Sequence, residues 1–267
     1  IAAAGVNRAD LLQRRGLYPP PPGAPEILGL ECAGTVTEVG DGVEGFAVGD
    51  RVMALLAGGG YAEQAVAPAS CVMAAPPCLG HLEAGGLPEV FITAFLNLFP
   101  LGGLEKGATA LVHGGSGGVG TAAIQLAKSA GARVVVTAGS DKRCRRCLEL
   151  GADAAVNHRE QDFVAVAREL TGHRGVDVVL DCIGAPYLER HLEALAVGGR
   201  LVVIGLQGGS RAELDLVRLM RKRLTIVGST LRARSVEEKE RVNLPVWAGV
   251  GAIVVGAGLL LAGGRRG

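Results

Sequence analysis

Residues 113–120, HGGSGGVG, carry the sharpest chemical signal in the chain. Gly115, Gly117 and Gly120 satisfy G-x-G-x-x-G, and Gly114, Gly117 and Gly120 satisfy G-x-x-G-x-x-G at the same place. They follow an apolar run, residues 108–113 (ATALVH), and open a stretch, residues 120–129, whose composition suits a helix. In that setting one glycine lets the turn close and a second lets the backbone approach a pyrophosphate. The third packs the helix against the strand. The cradle is therefore assigned to Gly115, Ser116, Gly117, Gly118, Val119 and Gly120, where the first N–H groups of the helix face the phosphates. A glycine turn without a ligand is the competing reading, and the strand–turn–helix setting argues against it.

The next strand end decides which nucleotide fits. A site for NAD has an acidic residue ~20 positions on, gripping the ribose 2′-hydroxyl. Counting 20 from Gly117 reaches Thr137, and the chain there reads Thr137-Ala138-Gly139-Ser140, without a carboxylate. Gly139 and Ser140 are followed by Lys142 and Arg143, one hydroxyl and two cations suited to a 2′-phosphate; Asp141 is expected to turn to solvent. Charge-assisted hydrogen bonds are worth ~1.5–3 kcal/mol each, so two would favour NADPH over NADH by a factor of ~10 or more. Alternatively Lys142 and Arg143 are merely the solvated start of a helix.

The elements that must position this site alternate. Strands are expected over residues 108–113, 133–137, 176–182 and 200–205, with helices over 120–129, 142–150 and near 188–195. Val-rich runs alternating with helices imply a parallel sheet covered on both faces. The first ~80 residues differ: apolar runs at 34–39 (GTVTEV) and 50–56 (DRVMALL) are bounded by Gly, Asp and Pro, which suggests a mainly β, barrel-like module. Residues 18–25 hold five prolines in eight positions and read as a rigid loop. The chain of 267 residues, 49 % hydrophobic and 20 % charged, has room for two cores and is not a disordered chain. Its 27 basic and 26 acidic residues give a net charge of +1, with no basic face for nucleic acid. Six scattered cysteines fit reduced thiols in the cytoplasm.

The chain resembles the zinc-free quinone oxidoreductases of the medium-chain dehydrogenase/reductase superfamily. The matching segments are Asn7-Arg8-Ala9-Asp10, residues 16–22 (GLYPPPP), 27–31 (ILGLE), 55–60 (LLAGGG), 88–94 (PEVFITA), the glycine turn, 137–140 (TAGS) and 181–184 (DCIG). Their order over about residues 1 to 235 makes the resemblance specific. It implies a GroES-like β-barrel domain (1–88) followed by a Rossmann doubly wound parallel sheet (89–235). It also implies a homodimer and hydride transfer from NADPH to quinones. An enone or enoyl-thioester reductase, or a chain that binds NADPH without turnover, are the alternatives.

Zinc-dependent relatives carry a Cys three residues before an Asp, and a His before the Glu of their Gly-His-Glu motif. Here Asn7 and Leu30 stand at those places, so no metal is expected. Cys144 and Cys147 have C-x-x-C spacing on an expected helix but no second ligand pair. By resemblance Asn7 and Tyr18 line the substrate pocket, with Tyr18 alternatively a loop anchor. Thr93 lies near the nicotinamide or is merely packed. His158 contacts the adenosine phosphate or is a surface loop residue. Gly205 and Leu206 pass beneath the nicotinamide, and backbone groups of residues 181–184 face the ribose, with Asp181 equally a strand-end cap. His113 is expected to orient the turn, while His81, His173 and His191 have no evident partner and read as structural.

Ile1 is not a methionine, and IAAAGVN reads as the middle of a strand, so the chain is expected to be truncated at both ends relative to the family. Residues 236–267 form a divergent apolar, Gly-rich tail. From 243 to 264 there is no charge, and three readings stay open: an alternative terminus, a membrane-associated tail or a core segment. Membrane contact follows only from the second.

Overall fold

The structure of the chain, a computed structural model, describes residues 1–242; the apolar stretch 243–264 lies outside the described residues. Two compact units are present. One holds residues 1–92 together with the segment that starts at Thr230, and the other is Thr93–Ser229. The sequence placed these divisions at 88/89 and 235/236.

The first unit contains α1 (Arg8–Gln13), β1 (Glu31–Thr35), β2 (Arg51–Leu55), β3 (Val72–Ala74), α2 (His81–Ala84) and the start of α3 (Pro88–Leu98). Asn7 caps α1, and the Asp10 carboxylate reaches back to accept the Asn7 backbone N–H at 2.8 Å, forming a capping box. The sheet is antiparallel in the order β1-β2-β3. Its first strand is Glu31–Thr35 rather than the expected 34–39. Ala33 explains the offset: it pairs with Met53 on one side and exchanges backbone bonds with the Ala2–Ala3 segment on the other. Beyond Thr35 only Val36 continues the pairing, before the glycine and aspartate turn.

The second unit contains β4 (Thr109–Val112), α4 (Gly118–Ser129), β5 (Arg133–Ala138), α5 (Asp141–Glu149), β6 (Ala154–Asn157), α6 (Phe163–Leu170), β7 (Val176–Asp181), α7 (Leu188–Ala194), β8 (Leu195–Val203), α8 (Leu216–Lys222) and β9 (Thr225–Gly228). The strands form one parallel sheet in the order β6-β5-β4-β7-β8-β9. The central β4 is buried along its whole length, as a strand covered on both faces must be. Leu111, Val135, Phe163, Val179, Leu195 and Leu201 share one core. Strand β8 starts at Leu195, earlier than the expected residue 200. A register shift between Val176 and Val178 lets Leu195 and Arg200 both pair with β7, so the glycines at 198 and 199 are absorbed in an irregularity instead of a turn.

Chain order reverses between β4 and β7. In open α/β sheets the ligand crevice lies outside the carboxyl ends of the strands at such a switch point. The glycine turn follows β4 there and residues 182–184 follow β7. Among the described residues no helix is long and apolar enough to cross a membrane.

Candidate functional site

The turn after β4 owes its shape to absent side chains. Gly114 sits at φ +70°, a conformation that L side chains rarely adopt. A β-carbon on Gly115 would lie 2.5 Å from Val136 Cβ on β5, so only glycine lets the turn lie against the second strand. A β-carbon on Gly120 would strike the Gly114 carbonyl oxygen and come within 2.6 Å of the Gly115 Cα. The turn is tied down by Gly115 N–H to Thr137 O (2.8 Å) and Gly117 N–H to Gly114 O (2.9 Å). Helix α4 starts with Gly117 as its N-cap, and its first intrahelical bond runs from Thr121 N–H to Gly117 O. The N–H groups of Gly118, Val119 and Gly120 precede that bond, while Ser116, Gly117 and Gly118 are exposed. Helix-start donors with no partner among the described residues, on an exposed glycine-rich turn, fit a pyrophosphate.

At the end of β5 the chain gathers cations. Pairing of Ala138 with Asn157 brings the residues after β6 beside Gly139. A β-carbon on Gly139 would stand 3.4 Å from His158 Nε2 and 4.0 Å from both Arg143 Nη1 and Arg159 Nε. Ser140, the N-cap of α5, stands next in the chain, and its side chain makes no capping bond. Asp141 does not simply turn to solvent as expected: its Oδ1 accepts the Asn157 side-chain amide at 2.9 Å. Lys142 is exposed on α5, and among the described residues no contact ties it to this group. Arg159 was not singled out from the sequence. Its only local signal is its place next to His158.

Under the turn lies a buried polar chain that sequence reasoning missed. His113, at the end of β4, and His191, on α7, bring their Nε2 atoms to 2.9 Å, so the reading of His191 as partnerless is corrected. His113 Nδ1 stands 3.0 Å from Thr137 Oγ1, which also accepts the Gly114 N–H at 3.4 Å. His191 Nδ1 is buried without a partner. The consistent assignment makes His191 Nε2 donate to His113 Nε2 and His113 Nδ1 donate to Thr137. His113 thus orients the turn, as expected. Asp181 Oδ1 is 3.9 Å from His191 Nε2. The Asp181 carboxylate accepts the N–H groups of Ile183 (2.7 Å) and Gly184 (2.9 Å), so it caps β7. Gly205 packs against Cys182, where a β-carbon would lie 3.2 Å from the Cys182 carbonyl oxygen. The exposed Leu206 lies against Gly184, so both bound the crevice after β7 and β8. Thr93, half-buried on α3, accepts the Asn97 side-chain amide on its backbone oxygen at 2.7 Å.

Burial pushes the His191 imidazole down to about 3 and His113 well below its ordinary 6.5, so both are neutral. The unfolded chain binds a proton at each below pH 6.5, and the folded chain refuses it. Stability is therefore full above that pH and falls as pH drops toward 3; His191 alone removes about 2 kcal/mol at pH 5. Asp181 opposes this, because its carboxyl is pushed up to about 6 by burial and takes a proton first in the folded state. We expect His191→Asn to lose less thermal stability than the parent between pH 7 and pH 5. Parallel pH–stability curves would contradict this account of the pair.

The first unit holds a separate polar group. Asn7 Nδ2 donates to Glu31 Oε1 at 2.7 Å, and Glu31 Oε2 accepts the Glu89 backbone N–H at 2.9 Å. Asp10 accepts the Tyr61 hydroxyl at 3.0 Å and the Gly29 N–H at 3.1 Å. Burial pushes the Glu31 carboxyl up, against the Asn7 and Glu89 donors that hold it down. Glu89 rises to about 8 through burial beside the Glu31 and Asp10 carboxylates. Tyr18 is raised by burial and by Glu89, and the Arg232 guanidinium lies over its ring, 5.6 Å from the centroid. Among the described residues no hydrogen bond joins Asn7 and Tyr18. Zinc does not fit at the Asn7–Leu30 position: the amide is committed to Glu31 and Leu30 is a buried alkyl group. Among the described residues, His113, Asp181 and His191 in the second unit form the one group of three metal-capable side chains.

Comparison with known proteins matches both halves of the chain. Residues 1–77 match the alcohol dehydrogenase GroES-like domain, and residues 118–244 match the family described as zinc-binding dehydrogenase. Quinone oxidoreductase from Rattus norvegicus is 34 % identical over 251 residues, covering 94 % of this chain and 76 % of that protein. A phenolphthiocerol/phthiocerol polyketide synthase from Mycobacterium tuberculosis is 38 % identical over 205 residues, 77 % of this chain but 9 % of the relative. The crystal structure of Escherichia coli quinone oxidoreductase complexed with NADPH superposes with a TM-score of 0.80 at 30 % identity, over 93 % of this chain and 77 % of the other. Given a relative this similar along most of both chains, with the two halves matched in order, the chain belongs to the quinone oxidoreductases of the medium-chain dehydrogenase/reductase superfamily.

Proposed function

We propose that the chain is an NADPH-dependent quinone reductase that works without zinc. The observation that carries the cofactor is the convergence of Arg143, Arg159 and His158 on Gly139, where a ribose-binding carboxylate would stand in an NAD site. The acceptor rests on kinship with the quinone oxidoreductases of rat and Escherichia coli, the latter seen with NADPH. When bound, NADPH supplies a hydride; a quinone is electron-poor enough to accept it without a Lewis acid.

The chain's own residues bind and orient. Gly115, Ser116, Gly117, Gly118, Val119 and Gly120 hold the pyrophosphate. Arg143, Arg159 and His158, with Ser140, hold the 2′-phosphate, and Gly139 leaves room for it. Gly205 and Leu206 support the nicotinamide, with Thr93 beside it. Asn7, fixed by Glu31, keeps a second amide N–H for a quinone oxygen. Tyr18, whose hydroxyl is pushed further from ionisation by burial, is a second donor. Losing one such bond costs about 0.5–1.5 kcal/mol. Asn7→Ala and Tyr18→Phe are each expected to lower kcat/KM for a quinone by up to about tenfold with NADPH affinity intact. Unchanged kinetics in both would remove them from the reaction.

A second acceptor class, enones and enoyl thioesters, is favoured by the 38 % identity to a segment of a polyketide synthase. Steady-state kinetics with a benzoquinone and a crotonyl thioester separate the two. Homodimer formation through β9 is part of the reading: among the described residues β9 pairs on one side only, and the neighbouring α8 exposes Leu216, Val217 and Met220. Cys32, Cys71, Cys78, Cys144 and Cys147 are free thiols, which fits a reducing, cytoplasmic setting.

A further inference from the structure

The segment that starts at Thr230 packs into the first unit and brings two cations with it. Arg232 is 4 % exposed and Lys239 is 8 % exposed. Arg232 gives Nε to the Ala57 carbonyl and Nη1 to Gln13 Oε1, both at 2.8 Å and both neutral acceptors. Its Nη2 is shut away from solvent and has no acceptor among the described residues. Lys239 Nζ donates to the Arg232 carbonyl at 2.9 Å. Neither cation forms an ion pair with a carboxylate among the described residues. Residues 243–267 contain no acidic side chain.

Glu89 is the acid whose charge interacts with both, but it is pushed up to about 8 and carries its proton at neutral pH. Buried positive charge without a counter-ion is costly, so an anion from outside would relieve it. A cleft of about 360 Å³ lies at these two residues. Its other walls include Pro21, Pro22, Pro25, Leu56, Val66 and Val236, which are apolar.

We propose that this cleft binds a small organic carboxylate, with the carboxylate on Arg232 and Lys239 and the apolar body against the proline loop. Arg232 Nη2 is the guanidinium donor left over for a carboxylate oxygen, and the Lys239 ammonium adds a point charge. Arg232 also lies over the ring of Tyr18, so the titration is run with no quinone present.

The test is calorimetric titration of the full chain with benzoate and, separately, with its neutral analogue benzamide, each with and without saturating NADPH. Benzoate is expected to bind at least ~10-fold tighter than benzamide in both conditions. Lys239→Met and Arg232→Gln are expected to weaken benzoate at least ~10-fold and leave benzamide and NADPH affinity unchanged. If Arg232→Gln fails to fold, Lys239→Met alone decides, since it removes a single hydrogen bond. Equal binding of the two probes, no binding of benzoate, displacement of benzoate by NADPH, or undiminished benzoate binding by Lys239→Met would each overturn the proposal.

Discussion

Replacing Gly120 with alanine is expected to lower NADPH affinity at least ~100-fold, about 2.7 kcal/mol. The added methyl group would strike the Gly114 carbonyl oxygen and lie 2.6 Å from the Gly115 Cα, both of them backbone. A flexible side chain could swing aside, but this turn cannot. It is pinned by Gly115 N–H to Thr137 O and by the Thr137 hydroxyl, itself held by the His113–His191 pair. Either the helix start moves away from the turn or the turn opens, and both displace the N–H groups that face the phosphates. Overpacking of a well-filled site costs ~1–3 kcal/mol, so the second unit is expected to remain folded with a lowered melting temperature. A folded variant with undiminished NADPH affinity would show that the pyrophosphate does not sit on this turn.

The second large effect concerns the choice of nucleotide. Arg143→Ala and Arg159→Ala are each expected to weaken NADPH by ~10–100-fold while leaving NADH within a factor of ~3. A charge-assisted hydrogen bond is worth ~1.5–3 kcal/mol, and NADH has no 2′-phosphate to lose. Arg143→Glu, which also repels the phosphate, is expected to reverse the preference. Lys142→Ala is expected to change either affinity less than ~3-fold, because Lys142 is exposed and not tied to the group around Gly139. Fluorescence titration with both nucleotides measures all four variants. Equal losses for NADPH and NADH would mean that these arginines serve the fold or the pyrophosphate instead of the 2′-phosphate.

The contrast between Lys142 and Arg159 shows where the sequence stopped being informative. The glycine spacing, the Val-rich strands and the missing carboxylate after β5 are local patterns, so the nucleotide fold was legible and the 2′-phosphate reading could be proposed from them. Which cations take part depends on strand pairing. Arg159 reaches Gly139 because β6 lies beside β5 with Asn157 against Ala138, a register that no local pattern states. The same applies to the pairs formed across long stretches of chain. Glu31 is 1 % exposed, although glutamate is an unusual core residue, because Asn7 and the Glu89 backbone satisfy it from distant positions. His113 and His191 meet across 78 residues. The strand 34–39 was misplaced for a related reason. GTVTEV alternates as a strand should, but it is the second neighbour at Ala2–Ala3 that decides which residues are held on both sides.

The central claim is NADPH-dependent quinone reduction, and the most direct test is the rate at which the purified chain oxidises NADPH when a benzoquinone is added, with NADH run in parallel. The account predicts quinone-dependent oxidation of NADPH, with NADH at least ~10-fold less efficient in kcat/KM, matching the loss of one charge-assisted contact. Tight NADPH binding with no quinone-dependent oxidation would contradict the account, and so would equal efficiency with NADH.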